Sequence, residues 1–176
     1  MKNKKYLITG SAGFIGFHLS KKLLSEGLTV IGVDNLNNYY DQKLKKNRNK
    51  ILEKYTNYKF NKIDIKNYSK LESIFKKNKF DCIINLAAQA GVRYSLINPK
   101  SYIENNVVGF FNVIDLTKKY KVKNMIYAST SSIYGIQSKF PIKENFDTSN
   151  PTQLYAATKK SNEVIAASYS KLYNIN

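Results

Sequence analysis

The sequence predicts an α/β protein built on a doubly wound parallel sheet with helices on both faces. Three observations carry this. Short apolar, β-rich runs alternate with longer amphipathic stretches through five strands. That alternation supplies the crossover helices that parallel strands require. The first run also ends in a glycine-rich turn that opens directly into a helical pattern. A chain of 176 residues suffices for one domain, and 43% hydrophobic with 23% charged residues is the balance of a folded protein.

Each element follows from local pattern. Tyr6-Leu7-Ile8-Thr9 is apolar and ends in Gly10, as a buried first strand does. Ile15, Leu19, Leu23 and Leu24 repeat at helical spacing over 15–24, and Gly27 closes that helix. Residues 29–33 form the second strand, capped by Asp34. The polar stretch 35–41 is a loop, and 42–55 a lysine-rich surface helix. Residues 58–63 give the third strand and 68–77 the third helix. Cys82-Ile83-Ile84-Asn85-Leu86 is the fourth strand, with a loop running on to Pro99. The longest periodic segment, 100–120, is a helix, and 124–129 is the fifth strand. A loop containing Pro141 and Pro151 precedes a last helix over 152–172. No linker, internal repeat or low-complexity tract interrupts the order.

Two motifs carry chemistry. Gly10-Ser11-Ala12-Gly13-Phe14-Ile15-Gly16 lies at a strand-to-helix turn. Glycines there permit the tight turn and let backbone N–H groups approach a pyrophosphate at the helix N-terminus. Asp34, near the expected offset of ~20 residues, would accept hydrogen bonds from ribose hydroxyls and repel a 2′-phosphate. That favours NAD over NADP, with a plain turn cap as the other reading. Asp64, closing the third strand, is either an adenine contact or a turn cap. The second motif is Tyr155-Ala156-Ala157-Thr158-Lys159. On a helix, positions i and i+4 share a face, and an ammonium beside a phenol favours the phenolate. Together these point to a Rossmann-type NAD-binding domain carrying a proton-transfer pair.

These motifs resemble the extended short-chain dehydrogenase/reductase family, and within it the nucleotide-sugar epimerases. The resemblance spans essentially the whole chain. It rests on Gly10, Gly13 and Gly16, Asp34, Asn85-Leu86-Ala87-Ala88, Asn106, Ser129-Thr130-Ser131-Ser132-Ile133-Tyr134-Gly135 and the Tyr155/Lys159 pair, in the family's order. The stretches Asp34-Asn35-Leu36-Asn37-Asn38-Tyr39-Tyr40-Asp41 and Ala90-Gly91-Val92-Arg93-Tyr94-Ser95 look most like UDP-glucuronate 4-epimerases. The resemblance implies that Tyr155, Lys159 and Thr130 are catalytic: the phenolate takes the sugar 4-hydroxyl proton, Lys159 sustains it and binds the nicotinamide ribose, and Thr130 bonds the reacting oxygen. Cofactor contacts are implied at Gly10, Gly13, Phe14, Ile15, Gly16, Asp34, Asn35, Asp64, Ile65, Leu86, Ala87, Ala88 and Asn106, besides Tyr155 and Lys159. Where nucleotide-sugar 4,6-dehydratases carry Asp-Glu after the catalytic Thr, this chain has Ser131 and Ser132. Hydroxyls cannot supply that acid and base, so dehydration is disfavoured and both serines become substrate-binding candidates. Arg93 is a third, for a carboxylate or phosphate, or else an exposed salt-bridge partner.

The family's C-terminal half, which supplies most of the sugar-nucleotide pocket, has no counterpart in these residues. The expectation is therefore the N-terminal part of a UDP-glucuronate 4-epimerase. The alternatives are a nucleotide-binding module without turnover and an epimerase of the UDP-glucose type. The expected partners are a nucleotide sugar, a UDP-hexuronate first, and a second copy of the chain through helices 100–120 and 152–172. Charge points elsewhere at first sight: 29 Lys and Arg against 12 Asp and Glu give +17, the sign of a nucleic-acid binder. Yet only Arg48 and Arg93 are arginines, and no lysine run forms a binding motif, so neither nucleic acid nor membrane is expected as partner. The N-terminal run Met1-Lys2-Asn3-Lys4-Lys5 is basic but leads into no signal-peptide core, which suggests a cytoplasmic protein. The single cysteine, Cys82, excludes an internal disulfide, and with His18 the single histidine no metal centre is expected. Both read as packing residues.

Overall fold

The computed structural model describes residues 4–176; the start of the basic N-terminal run, residues 1–3, lies outside them. Strand β1 (Lys5–Thr9) has Leu7, Ile8 and Thr9 fully buried, so both of its faces are covered. That is the pattern of a central parallel strand. It pairs with β2 (Thr29–Asp34) on one side and β4 (Cys82–Asn85) on the other. β3 (Tyr58–Lys62) adds beyond β2, and β5 (Met125–Tyr127) beyond β4. The sheet is parallel throughout, in the order β3-β2-β1-β4-β5. The chain winds outward from β1 to β3, then returns to the other side of β1. The reversal opens a crevice at the carboxyl ends of β1 and β4.

Two helical layers close the core. On one face, Phe17 and Leu24 of α1 (Phe14–Ser25) and Leu52 of α2 (Gln42–Leu52) pack on Ile8, Val30 and Ile84. On the other, Leu71, Ile74 and Phe75 of α3 (Tyr68–Lys77) and Val113 and Leu116 of a later helix cover Leu7, Ile31, Val33 and Ile83. Cys82 is buried in the first of these clusters, where desolvation pushes its thiol up. His18 is an exposed ring edge-on to Phe14 and Phe17.

The expected order of elements is present, with instructive differences. α2 stops at Leu52 instead of 55, because Lys54 and Tyr55 donate to Ile51 and Leu52 in three-residue turns. The stretch expected as a loop up to Pro99 contains a single helical turn, α4 (Tyr94–Ile97). α5 (Pro99–Tyr102) starts with proline in its first turn and Asn98 capping the Ser101 N–H at 3.3 Å. It runs through a π-helical turn, Ile103–Val108, into α6 (Gly109–Lys119), so the long helix is continuous over 99–119. A 3₁₀ turn, Ser131–Tyr134, follows β5, and the last helix is α7 (Leu154–Tyr173). Beyond it, the Asn176 N–H donates to Lys123 at 2.7 Å and its carbonyl accepts from Met125 at 2.8 Å, beside β5. No helix of the described residues is long and apolar enough to cross a membrane.

Candidate active site

The crevice is a cleft of about 310 Å³ walled by the loops that follow β1, β2 and β4. Its floor is the glycine turn. Gly10 adopts φ +71°, and an added Cβ there would meet the Ala87 backbone nitrogen at 2.8 Å. A Cβ on Gly16 would collide with the Gly10 carbonyl, so both positions admit only glycine. Gly13 caps α1 without a side-chain hydrogen bond, leaving the first-turn N–H groups of Phe14, Ile15 and Gly16 free to face an anion. Phe14 is exposed, and the Arg48 guanidinium sits 5.7 Å from its ring centre.

Asp34 ends β2 as a buried carboxylate on the cleft wall. It accepts the Leu36 N–H at 2.8 Å and lies 3.8 Å from the Lys45 ammonium. Lys45 is itself buried and donates to Asn37 at 2.9 Å. Helix α2 was expected to be a lysine-rich surface helix, but Lys45, Asn49 and Leu52 turn inward. Asn35 lines the cleft and donates to Asp64 at 3.1 Å. Asp64 accepts the Lys66 N–H at 2.9 Å and stands outside the lining, as a turn cap does; its neighbour Ile65 is in the lining.

The β4 side presents Leu86, Ala87 and Ala88. Thr9 holds this wall: its hydroxyl donates to Asn85 at 2.6 Å and accepts the Ala87 N–H at 3.1 Å. Asn106 stands behind the wall rather than in it. Its oxygen accepts the Gln89 N–H at 2.7 Å, and its amide donates to the Gln89 carbonyl and to Thr158 at 3.0 and 3.1 Å. Within the π turn it is Asn105 that reaches the cleft. A π turn fits one extra residue into the ladder and so aims adjacent side chains at two different surfaces.

At the far end, Ala128 closes the lining, and buried Lys159 of α7 donates to its carbonyl at 2.9 Å. Burial pushes the Lys159 ammonium down to about 8. Thr130 accepts the Ser132 N–H at 3.2 Å, which leaves the Thr130 hydroxyl proton for an external acceptor. Tyr155, half-buried in the first turn of α7, packs edge-on against the Tyr102 ring at 6.0 Å. Ser131 and Ser132 lie on the 3₁₀ turn and Arg93 is exposed at the start of α4; none of these three lines the cleft, and Thr130, Tyr155 and Lys159 also stand outside its lining, beyond Ala128. Arg93 makes no ion pair among the described residues, against its reading as a salt-bridge partner. Sequence reasoning missed Lys45, Asn37, Tyr39, Tyr40 and Asn105 as lining residues.

Comparison with known proteins places this architecture. A family model described as GDP-mannose 4,6 dehydratase matches residues 7–176. Protein CapI of Staphylococcus aureus is 49% identical over 97% of this chain and 51% of its own length. A UDP-glucuronate 4-epimerase of Thermodesulfobacterium geofontis is 46% identical over 97% and 53%. The crystal structure of a Bacillus cereus UDP-glucuronic acid 4-epimerase, in complex with UDP-glucuronic acid and NAD, superposes with a TM-score of 0.88 at 32% identity. It covers 97% of this chain and 54% of that one. The chain thus spans about half the length of the curated relatives it matches. On a match over nearly its whole length, the chain belongs to the NAD-dependent epimerase/dehydratase family.

Proposed function

We propose that this chain is the dinucleotide-binding and proton-transfer part of an NAD-dependent epimerase that inverts C4 of UDP-glucuronate. The observation that carries the reading is the buried Lys159 ammonium, held to Ala128 at the end of a glycine-floored cleft and one helical turn from Tyr155. The choice of sugar is supported by the relatives named UDP-glucuronate 4-epimerase.

The residues fit NAD. The Gly10–Gly16 turn and the uncapped start of α1 would take the pyrophosphate, and Asp34 the adenosine ribose diol. Bound NAD supplies the acceptor, and later the donor, of the C4 hydride, so the sugar passes through a 4-ketone. Tyr155 as phenolate takes the 4-hydroxyl proton and returns it after the ring has turned over. Lys159 supplies a positive charge one helical turn from Tyr155. Thr130 donates to the same oxygen, its own lone pair already engaged by Ser132. Ser131 and Ser132 provide no carboxyl for eliminating water, which separates this site from a dehydratase despite the name of the matching model. Arg93 is the candidate for the uronate carboxylate or a phosphate. Exposed Ile103, Val108, Phe111 and Val164 on the long helix and α7 are the surface for a second copy, tested by sedimentation.

The test combines this chain with the C-terminal half of a relative and follows conversion of UDP-glucuronate to UDP-galacturonate. Tyr155→Phe is expected to lower turnover by at least about 100-fold while NAD binding stays within about twofold. Turnover retained in Tyr155→Phe removes the proton-transfer assignment.

A further inference from the structure

The segments that follow β2 and β4, on opposite sides of the cleft, touch each other. Tyr39 belongs to the loop after β2, Tyr94 to α4 on the segment after β4, and in the sheet β1 lies between β2 and β4. Two strand spacings, about 9.6 Å, separate those sides. Tyr39 nevertheless packs on Tyr94 with ring centres 4.9 Å apart. Its hydroxyl rests over Gly91, at φ +94°, where an added Cβ would come within 2.5 Å. Tyr94 in turn meets Tyr102 at 6.3 Å. Tyr102 is fully buried; its hydroxyl donates to the Ala90 carbonyl at 2.8 Å and to that of Gly91, and its ring edge meets Tyr155. An unbroken run of rings therefore joins the β2 loop on one wall of the cleft to the proposed proton-transfer residue.

We infer that Tyr39 and Tyr94 form a clasp that holds the dinucleotide in the cleft through the reaction cycle. The inference rests on the proposed reading of the cleft as an NAD site. A reaction that lends a hydride and takes it back at the same carbon fails whenever the cleft opens between the two transfers. A clasp built of ring contacts suits that need, because it can part to load the cleft and then slow escape. Tyr39 and Tyr40 line the cleft as well, so closure and lining are properties of one loop.

The test measures release of NADH from the intact 176-residue chain by stopped-flow fluorescence, with excess NAD as chase. Tyr39→Ala and Tyr94→Ala are each expected to speed release roughly fivefold to tenfold, the scale of one aromatic pair. The double variant is expected to release no faster than Tyr39→Ala, because Tyr94→Ala removes a contact that Tyr39→Ala has already removed. Tyr39→Leu and Tyr94→Leu, which keep bulk but no ring, give the same pattern if an alanine variant loses its fold. Release unchanged in the single variants, or accelerated multiplicatively in the double, overturns the clasp while leaving the NAD site in place. A wild-type chain that binds no NADH saturably overturns both.

Discussion

Lys159 is a charge placed where charge is costly. Desolvation lowers it from 10.5 to about 8, and the Ala128 carbonyl is its hydrogen-bond acceptor. Below pH 8 the ammonium is present in both folded and unfolded chains, and the folded one bears the burial penalty. Between pH 8 and 10.5 the folded chain sheds the proton first, so this group's contribution to stability rises with pH. Comparing wild type with Lys159→Met isolates this group from every other one that titrates. The wild-type advantage is expected to grow by about 2–3 kcal/mol from pH 8 to 10 in urea denaturation; a difference that stays flat refutes the buried charge. Lys45 makes the complementary case. Lys45→Met removes the ammonium 3.8 Å from buried Asp34 and is expected to cost about 1–3 kcal/mol and to weaken NAD binding. Its exposed neighbours Lys43 and Lys46 should change stability by less than about 0.5 kcal/mol when replaced likewise. Composition could not separate these three lysines; only the turn of α2 toward Asp34 does.

The π turn at Ile103–Val108 makes a similar point at the level of elements. Asn106→Ala strips partners from both the N–H and the carbonyl of buried Gln89. It is expected to cost about 2–3 kcal/mol. Thr158→Val removes the bond accepted from Asn106 and the hydroxyl's bond to the Tyr155 carbonyl inside α7, leaves both Gln89 groups paired, and should cost about 1 kcal/mol. Equal losses would mean that Asn106 does not brace the cleft wall through Gln89. How legible each element was in the sequence follows from its signal. α3 begins and ends as expected, because Asn67 supplies a side-chain cap at Lys70 and the apolar period is strong. α4 was invisible, since four residues do not fill a period. The long helix was legible as a helix, but hydropathy cannot reveal an i→i+5 turn, so the pattern could not show that Asn105 faces the cleft and Asn106 its scaffold. The glycines were legible because part of their requirement, the positive φ of Gly10 and the approach of Gly16 to the Gly10 carbonyl, lies within one short turn. Tyr39 was not, because its significance lies in a contact with Tyr94 that arises only when the β2 and β4 loops converge.

Across the whole molecule, charge acts on stability. Acidic groups are shared: Glu72 is held by Lys119 at 2.7 Å and Lys76 at 3.4 Å, and Glu104 by Lys66 at 3.3 Å and Lys100 at 3.6 Å. With 29 basic side chains against 12 acidic ones, most lysines have no carboxylate to meet. Exposed pairs of this kind are worth about 0–1 kcal/mol each, whereas a net charge of +17 repels itself over the entire surface. At about 0.01 M salt that repulsion reaches ~30 Å, beyond the spacing of neighbouring lysines, and at about 0.15 M only ~8 Å. Screening therefore relieves more than it weakens. Raising NaCl from low to physiological concentration is expected to lift the melting temperature by several degrees, about 2–4 °C for each kcal/mol of repulsion removed. Calorimetry with NaCl and KCl in parallel checks that the effect follows ionic strength rather than ion identity. A melting temperature that falls with salt would show that the lysine–carboxylate pairs, not the unpaired excess, dominate the electrostatics of this fold.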